Sequence, residues 1–127
     1  QINQIAGGGA RLFAGPRNRK FILVADQPAI DDKQIIASKN TQIIDGLFGT
    51  GLKKPLEGIF ANIVQSINMN RAEVVSIDLP SGLYTDSFEL PSITVKATAT
   101  IAIGRPKISL LMDPARQAAG RAHSCAA

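Results

Sequence analysis

The sequence predicts an α/β fold: one compact domain built on a parallel sheet. Three observations predict it. Short apolar, partly β-branched segments recur at residues 20–25, 41–48, 72–79 and 97–103, each closed by Gly, Pro or Asp. Between the second and third of them, Leu56, Ile59, Phe60, Ile63, Val64 and Ile67 recur at a spacing of about 3.6 residues, one apolar helical stripe. The resulting order of strand, glycine turn, helix and strand is that of a βαβ unit, whose right-handed crossover joins parallel neighbours.

Taken in order, residues 1–20 are rich in Gly and Arg and show no clean period. Residues 20–25 read as a short buried strand ended by Asp26 and Pro28, and residues 30–38 fit either a short helix or a loop. Residues 41–48 (TQIIDGLF) form a second strand, turned by Gly49-Thr50-Gly51. Pro55 suits the first turn of the helix that follows, and residues 68–71 end it. Residues 72–79 (AEVVSIDL) form a third strand, stopped by Pro80-Ser81-Gly82. Residues 83–95 read as a surface excursion, residues 97–103 as a fourth strand ended by Gly104 and Pro106, and the last twenty residues carry no readable pattern.

Composition bounds the function. A chain of 127 residues suits one domain, and 45% apolar with 19% charged residues is the balance of a soluble globular protein. The longest apolar run, residues 21–25, falls far short of the roughly 20 residues a membrane helix needs, so no membrane partner is expected. The chain opens on Gln1 rather than Met, which predicts a processed product or a fragment. The single cysteine, Cys125, permits no intrachain disulfide, which fits a reducing, cytoplasmic setting. Cys125 and the single histidine, His123, read as exposed tail residues rather than a nucleophile and its base, and they are too few for a His/Cys metal site. The net charge of +4 owes part of its excess to Arg11, Arg17, Arg19 and Lys20. With no nucleic-acid motif beside them, these read as a solvated basic face and no nucleic-acid partner is expected.

Two segments could carry chemistry. In IIDGLFGTGLKKPLEG, residues 43–58, Gly49 and Gly51 bare the backbone N–H groups, the following helix aims its positive end the same way, and Lys53 and Lys54 add charge. This is either an anion cradle suited to phosphate or a tight turn with two solvated lysines; it is neither a Walker A loop nor the GxGxxG fingerprint. In SIDLPSG, residues 76–82, Asp78 ends an apolar strand and Ser81 follows, so Asp78 could act as a general acid or base or simply hydrogen-bond the turn. Asp45, inside another apolar strand, needs a partner or a cation if buried, and could equally be a structural hydrogen-bonder. Asp45 and Asp78 lie near the ends of consecutive strands, at the sheet edge where open α/β folds hold ligands. Two acids, a hydroxyl and a phosphate cradle at one edge suggest a nucleotide site.

The ordered trio IIDGLFGTGLKKPLEG, VVSIDLPSGL and VKATATIAIGRPKISLL resembles the NAD(P)H-hydrate epimerase family over roughly residues 41–111. The resemblance implies a Rossmann-like three-layer fold with a mostly parallel sheet, here as a single partial domain over residues 1–127. It implies an isomerase that interconverts the R and S epimers of hydrated NADH or NADPH, so that a dehydratase, fused or separate, can restore the cofactor. It also implies a bound potassium ion and admits a homodimer. Carried over by position, Asp45 and Ser81 match potassium ligands. Gly49, Thr50, Gly51, Leu52, Lys53, Lys54 and Pro55 match the segment that embraces the substrate phosphates. Asp78 matches a substrate contact and is the expected acid–base group. Lys107, in GRPK, also fits the pattern, either as a further phosphate contact or as a solvated or salt-bridged lysine.

The chain departs from the family in three places. The family's earlier G-P-G-N-N-G-G-D-G loop, which supplies phosphate contacts and a potassium ligand, has only Gly15-Pro16-Arg17-Asn18-Arg19-Lys20 in its place. That stretch is either a degenerate copy retaining Asn18, or the true loop lies before Gln1; the second reading puts residues 21–30 where a strand and loop precede Asp45. Thr98 stands where an acidic residue is usual, and nothing beyond Gly120 resembles the family. Activity from these residues alone is therefore not expected. A non-catalytic nucleotide- or phosphate-binding module is the alternative function, and a basic nucleic-acid-binding fragment a more distant one.

Overall fold

The computed structural model describes residues 42–125 and, before them, the backbone of two strands, β1 (Ala10–Ala14) and β2 (Lys20–Val24). Those two pair antiparallel, with Phe13 opposite Phe21, in a sheet of their own. The strand read at residues 20–25 is thus present, but its ladder partner is β1, a strand the sequence did not announce. Five residues with one arginine are too few to display a period. The helix-or-loop at residues 30–38 and the Gly15 to Arg19 stretch with Asn18 lie outside the described residues.

The main sheet has four parallel strands in the order β3 (Gln42–Asp45), β4 (Glu73–Ile77), β5 (Ala99–Ile103) and β6 (Arg121–Cys125). Helix α1 (Gly58–Met69) makes the β3–β4 crossover. It starts later than Pro55 suggested. Gly58 has φ 58°, a left-handed value that a right-handed helix cannot carry backward, and Glu57 is extended without a side-chain cap. Leu56 is nevertheless buried ahead of the helix, beside the stripe of Ile63, Val64 and Ile67 that packs with Val74 and Val95. At the other end the Asn70 N–H donates to the Ile67 carbonyl at 3.1 Å. No helix among the described residues is long and apolar enough to cross a membrane.

The strands alternate as half-buried strands should: Val74 and Ser76 of β4, and Thr100 and Ala102 of β5, point into the core. Between β4 and β5 the chain crosses over without a helix, and the excursion expected at residues 83–95 is only half superficial. Phe88 and Glu89 are exposed, but Leu83 (1% exposed) and Val95 (0%) are core residues. The Val95 N–H donates to the Ser81 carbonyl at 2.8 Å, drawing the two ends of the segment together. Gly82 permits this closure: its φ is 108°, and a Cβ there would lie 2.3 Å from the Ile93 carbonyl oxygen. Two anchors a dozen residues apart leave no periodic trace in a sequence.

Of the final twenty residues, 108–125 are described and form ordered structure. Helix α2 (Ile108–Leu111) and a 3-10 turn (Ala115–Ala118) lead to β6, which joins β5 with His123 opposite Ile101. His123 and Cys125 therefore sit on an exposed edge strand rather than in a tail, and as alternate residues they share a face. Backbone pairing builds this strand; its residues, Arg, Ala, His, Ser and Cys, bury nothing and so give no apolar pattern.

Candidate active site at the carboxyl edge of the sheet

Asp45 is the last residue of β3, and Asp78 follows the last residue of β4. In the parallel register Asp45 lies opposite Ser76, two residues before Asp78, so both acids reach one rim. Their surroundings differ.

Asp45 is 1% exposed and ringed by neutral donors. Its Oδ2 accepts from the Ser76 hydroxyl at 2.7 Å and the Ser81 N–H at 2.9 Å. Its Oδ1 accepts from the Ser81 hydroxyl at 2.5 Å and, more distantly, from the Leu47 N–H at 3.4 Å. The same Ser81 oxygen accepts from the Phe48 N–H at 3.0 Å, so one hydroxyl ties β3, the turn after β4 and the glycine loop into a single unit. Phe48 then stacks edge-on against Phe60 of α1, ring centres 5.0 Å apart, fixing the loop to the helix. Asp45 has no ion pair among the described residues.

Asp78 is built differently. It alone among the described non-glycine residues has a positive φ, 71°. A left-handed residue with a side chain costs about 1–2 kcal/mol, least for Asp and Asn, and such outliers gather at functional sites. Oδ1 receives the Lys107 ammonium and the Ile103 N–H, the latter at 3.2 Å. Oδ2 has no hydrogen-bond partner among the described residues and faces Gly49, where an added Cβ would sit 3.4 Å from it. Gly49 has an ordinary φ, so what the missing side chain provides is space beside Asp78. Gly51 is the opposite case: φ 109° and nothing within 4 Å, a glycine required by the backbone.

The rest of the glycine segment is open. Thr50, Lys53, Lys54 and Pro55 are exposed, while Leu52 packs in part against the core beside Leu56. The expected contribution of a helix dipole is corrected here: residues 52–57 separate Gly51 from the start of α1, so the N–H groups available to an anion are those of the loop itself. Lys107, left open between a phosphate contact and a salt-bridged lysine, is salt-bridged to Asp78. Sequence reading missed Ser76 as a partner of Asp45. A serine inside an otherwise apolar strand was the available clue.

A parallel α/β domain with paired acids and a glycine loop at the carboxyl edge of adjacent strands is the general class of an edge-binding nucleotide or phosphate domain. The chain belongs to the family described as YjeF-related protein N-terminus, which matches residues 18–109. It is 40% identical over 78 residues to a bifunctional NAD(P)H-hydrate repair enzyme of Thermofilum pendens, covering 61% of this chain and 15% of the relative. It is 38% identical over 79 residues to an NAD(P)H-hydrate epimerase of Limosilactobacillus fermentum, covering 62% and 38%. A match to the bifunctional repair enzyme of Moorella thermoacetica reaches 80% of this chain and 19% of the relative, at 30% identity. The matches thus span well under half of these relatives' own lengths.

Proposed function

We propose that this chain belongs to a protein that interconverts the R and S epimers of hydrated NADH or NADPH, with Asp78 as the acid–base group. Inversion at a hydrated carbon leaves the composition of the substrate unchanged, so a proton taken at one stage must be returned at another. A carboxylate with one oxygen anchored and the other turned to open space is suited to both transfers. The observation that carries the reading is the unpartnered Oδ2 of Asp78 beside Gly49, on a residue held at φ 71°. The loop from Gly49 to Pro55, with Thr50, Lys53 and Lys54 exposed, offers N–H groups and positive charge to the substrate's phosphates.

Potassium fits beside it. Asp45 is a buried carboxylate compensated, among the described residues, only by neutral donors, one of them at 3.4 Å, and the Ser81 hydroxyl is a second hard oxygen 2.5 Å from it. Asp45 and Ser81 would hold the ion, as hard cations prefer oxygen. When bound it would supply the positive charge that the Asp45 site lacks. A dehydratase acting on the S epimer, fused or separate, and a second copy of the chain are the partners this reading implies.

The test is an epimer-interconversion assay on hydrated NADPH with the native protein and its Asp78→Asn variant, each with and without potassium. Turnover that needs Asp78 and rises with potassium supports the reading. Turnover retained by Asp78→Asn rejects it, and nucleotide binding without any interconversion marks a non-catalytic binding module instead.

A further inference from the structure

We infer that Lys107 is a positioning residue for Asp78, fixing one oxygen of its carboxylate so that the other, Oδ2, is the atom presented to the substrate; this rests on Asp78 being the acid–base group. Lys107 is distant in sequence and comes from the far side of β5. Gly104, at φ 71°, turns the chain as it leaves the strand, with its N–H bonded to the Cys125 carbonyl at 2.7 Å. The turn brings Lys107 back over the end of β5, where its ammonium donates to the Ile103 carbonyl at 2.9 Å and to Asp78 Oδ1. The Ile103 N–H donates to the same Oδ1 at 3.2 Å. The Asp78 N–H in turn donates to the Ile101 carbonyl at 2.8 Å.

Three features separate this arrangement from a solvated surface pair. The Lys107 side chain is 13% exposed and that of Asp78 15%, so both are largely withdrawn from water. The ammonium is tethered at a second point, the Ile103 carbonyl, which removes the freedom that makes exposed lysine pairs weak. Among the described residues every donor reaching the carboxylate goes to Oδ1 and none to Oδ2, so the rotation of the carboxylate about its Cβ–Cγ bond is set and the remaining lone pairs point towards the space beside Gly49. Since a misaligned catalytic group can lose most of its effect without any change in binding, the consequence belongs in kcat.

The experiment measures kcat and KM for epimerisation by the native protein and by Lys107→Gln, Lys107→Arg, Asp78→Asn and the double variant Lys107→Gln/Asp78→Asn. Lys107→Gln is expected to lower kcat about tenfold or more while KM stays within about twofold, the pattern of a group acting only in the transition state. Lys107→Arg should recover part of that loss. In the Asp78→Asn background Lys107→Gln should cost nothing further, because two residues acting as a unit are not additive. A raised KM at unchanged kcat would make Lys107 a contact to the substrate's phosphates and overturn the inference, as would unchanged kinetics or full additivity. Asp78→Asn retaining turnover would remove the underlying reading instead, a separate result. If Lys107→Gln does not fold, the Lys107→Arg kinetics and its cycle with Asp78→Asn decide the matter in the same way.

Discussion

The two acids at the sheet edge are two residues apart in register and opposite in construction. Asp45 closes on itself: buried, ringed by two serine hydroxyls and two amides, with no formal charge opposing it among the described residues. Asp78 is held open: a left-handed backbone, a cation and an amide on one oxygen, and no donor among the described residues on the other. The contrast teaches a division of labour. Asp45 organises, knitting β3, Ser81 and the glycine loop together, and is where we propose the cation binds. Asp78 is the side chain with unspent hydrogen-bonding capacity, and capacity of that kind at a strained residue is what a reacting group needs.

Substitutions can break or sharpen that contrast. The largest effect expected is on rate: Asp78→Asn should lower kcat in the epimerase assay by about a thousandfold, within the range for loss of an acid–base group. Its melting temperature should also fall, because Asn tolerates the left-handed region but leaves the Lys107 ammonium, largely withdrawn from water, without its anion. Asp45→Ala should do the reverse in emphasis and destabilise the fold by about 3 kcal/mol, since the Ser76 and Ser81 hydroxyls and the Ser81 N–H lose a buried acceptor. Chemical denaturation would read this directly, and a melt unchanged from the parent would show that Asp45 organises nothing.

Smaller effects separate the two glycines. Gly49→Ala puts a methyl 3.4 Å from Asp78 Oδ2 without backbone strain. It should leave the unfolding curve in place and raise KM by about tenfold, roughly 1.4 kcal/mol of lost transition-state binding. Gly51→Ala meets no neighbour but forces a side chain onto φ 109°. It should cost about 1 kcal/mol of stability, measurable as a lower unfolding midpoint. Equal effects of the two substitutions on both readouts would show that the loop works as one piece rather than as a bend and a space.

Much of this was visible beforehand for identifiable reasons. The helix stripe of Ile63, Val64 and Ile67 and the apolar strands around Asp45 and Asp78, read over residues 41–48 and 72–79 though β3 ends at Asp45 and β4 at Ile77, are local patterns, and the ordered segments around them place the chain in its family. The start of α1 was misjudged because Pro55 is compatible with a first helical turn, while the left-handed Gly58 that delays the helix looks like any other glycine in a sequence. Strand β6 was invisible because it is stabilised by its ladder with β5 and not by burial of its own side chains.

By itself, then, the sequence determined the βαβ order, the glycine turn and the placement of two carboxylates at the ends of neighbouring strands, since each follows from spacing along a few consecutive residues. Only the tertiary structure decided which acid is enclosed and which is open. That depends on Ser76 and Ser81 arriving at Asp45, and Lys107 at Asp78, across separations of 29 to 36 residues. Hydrogen bonds and ion pairs act over a few ångströms in space, and the folding of the chain, not its order, sets those distances.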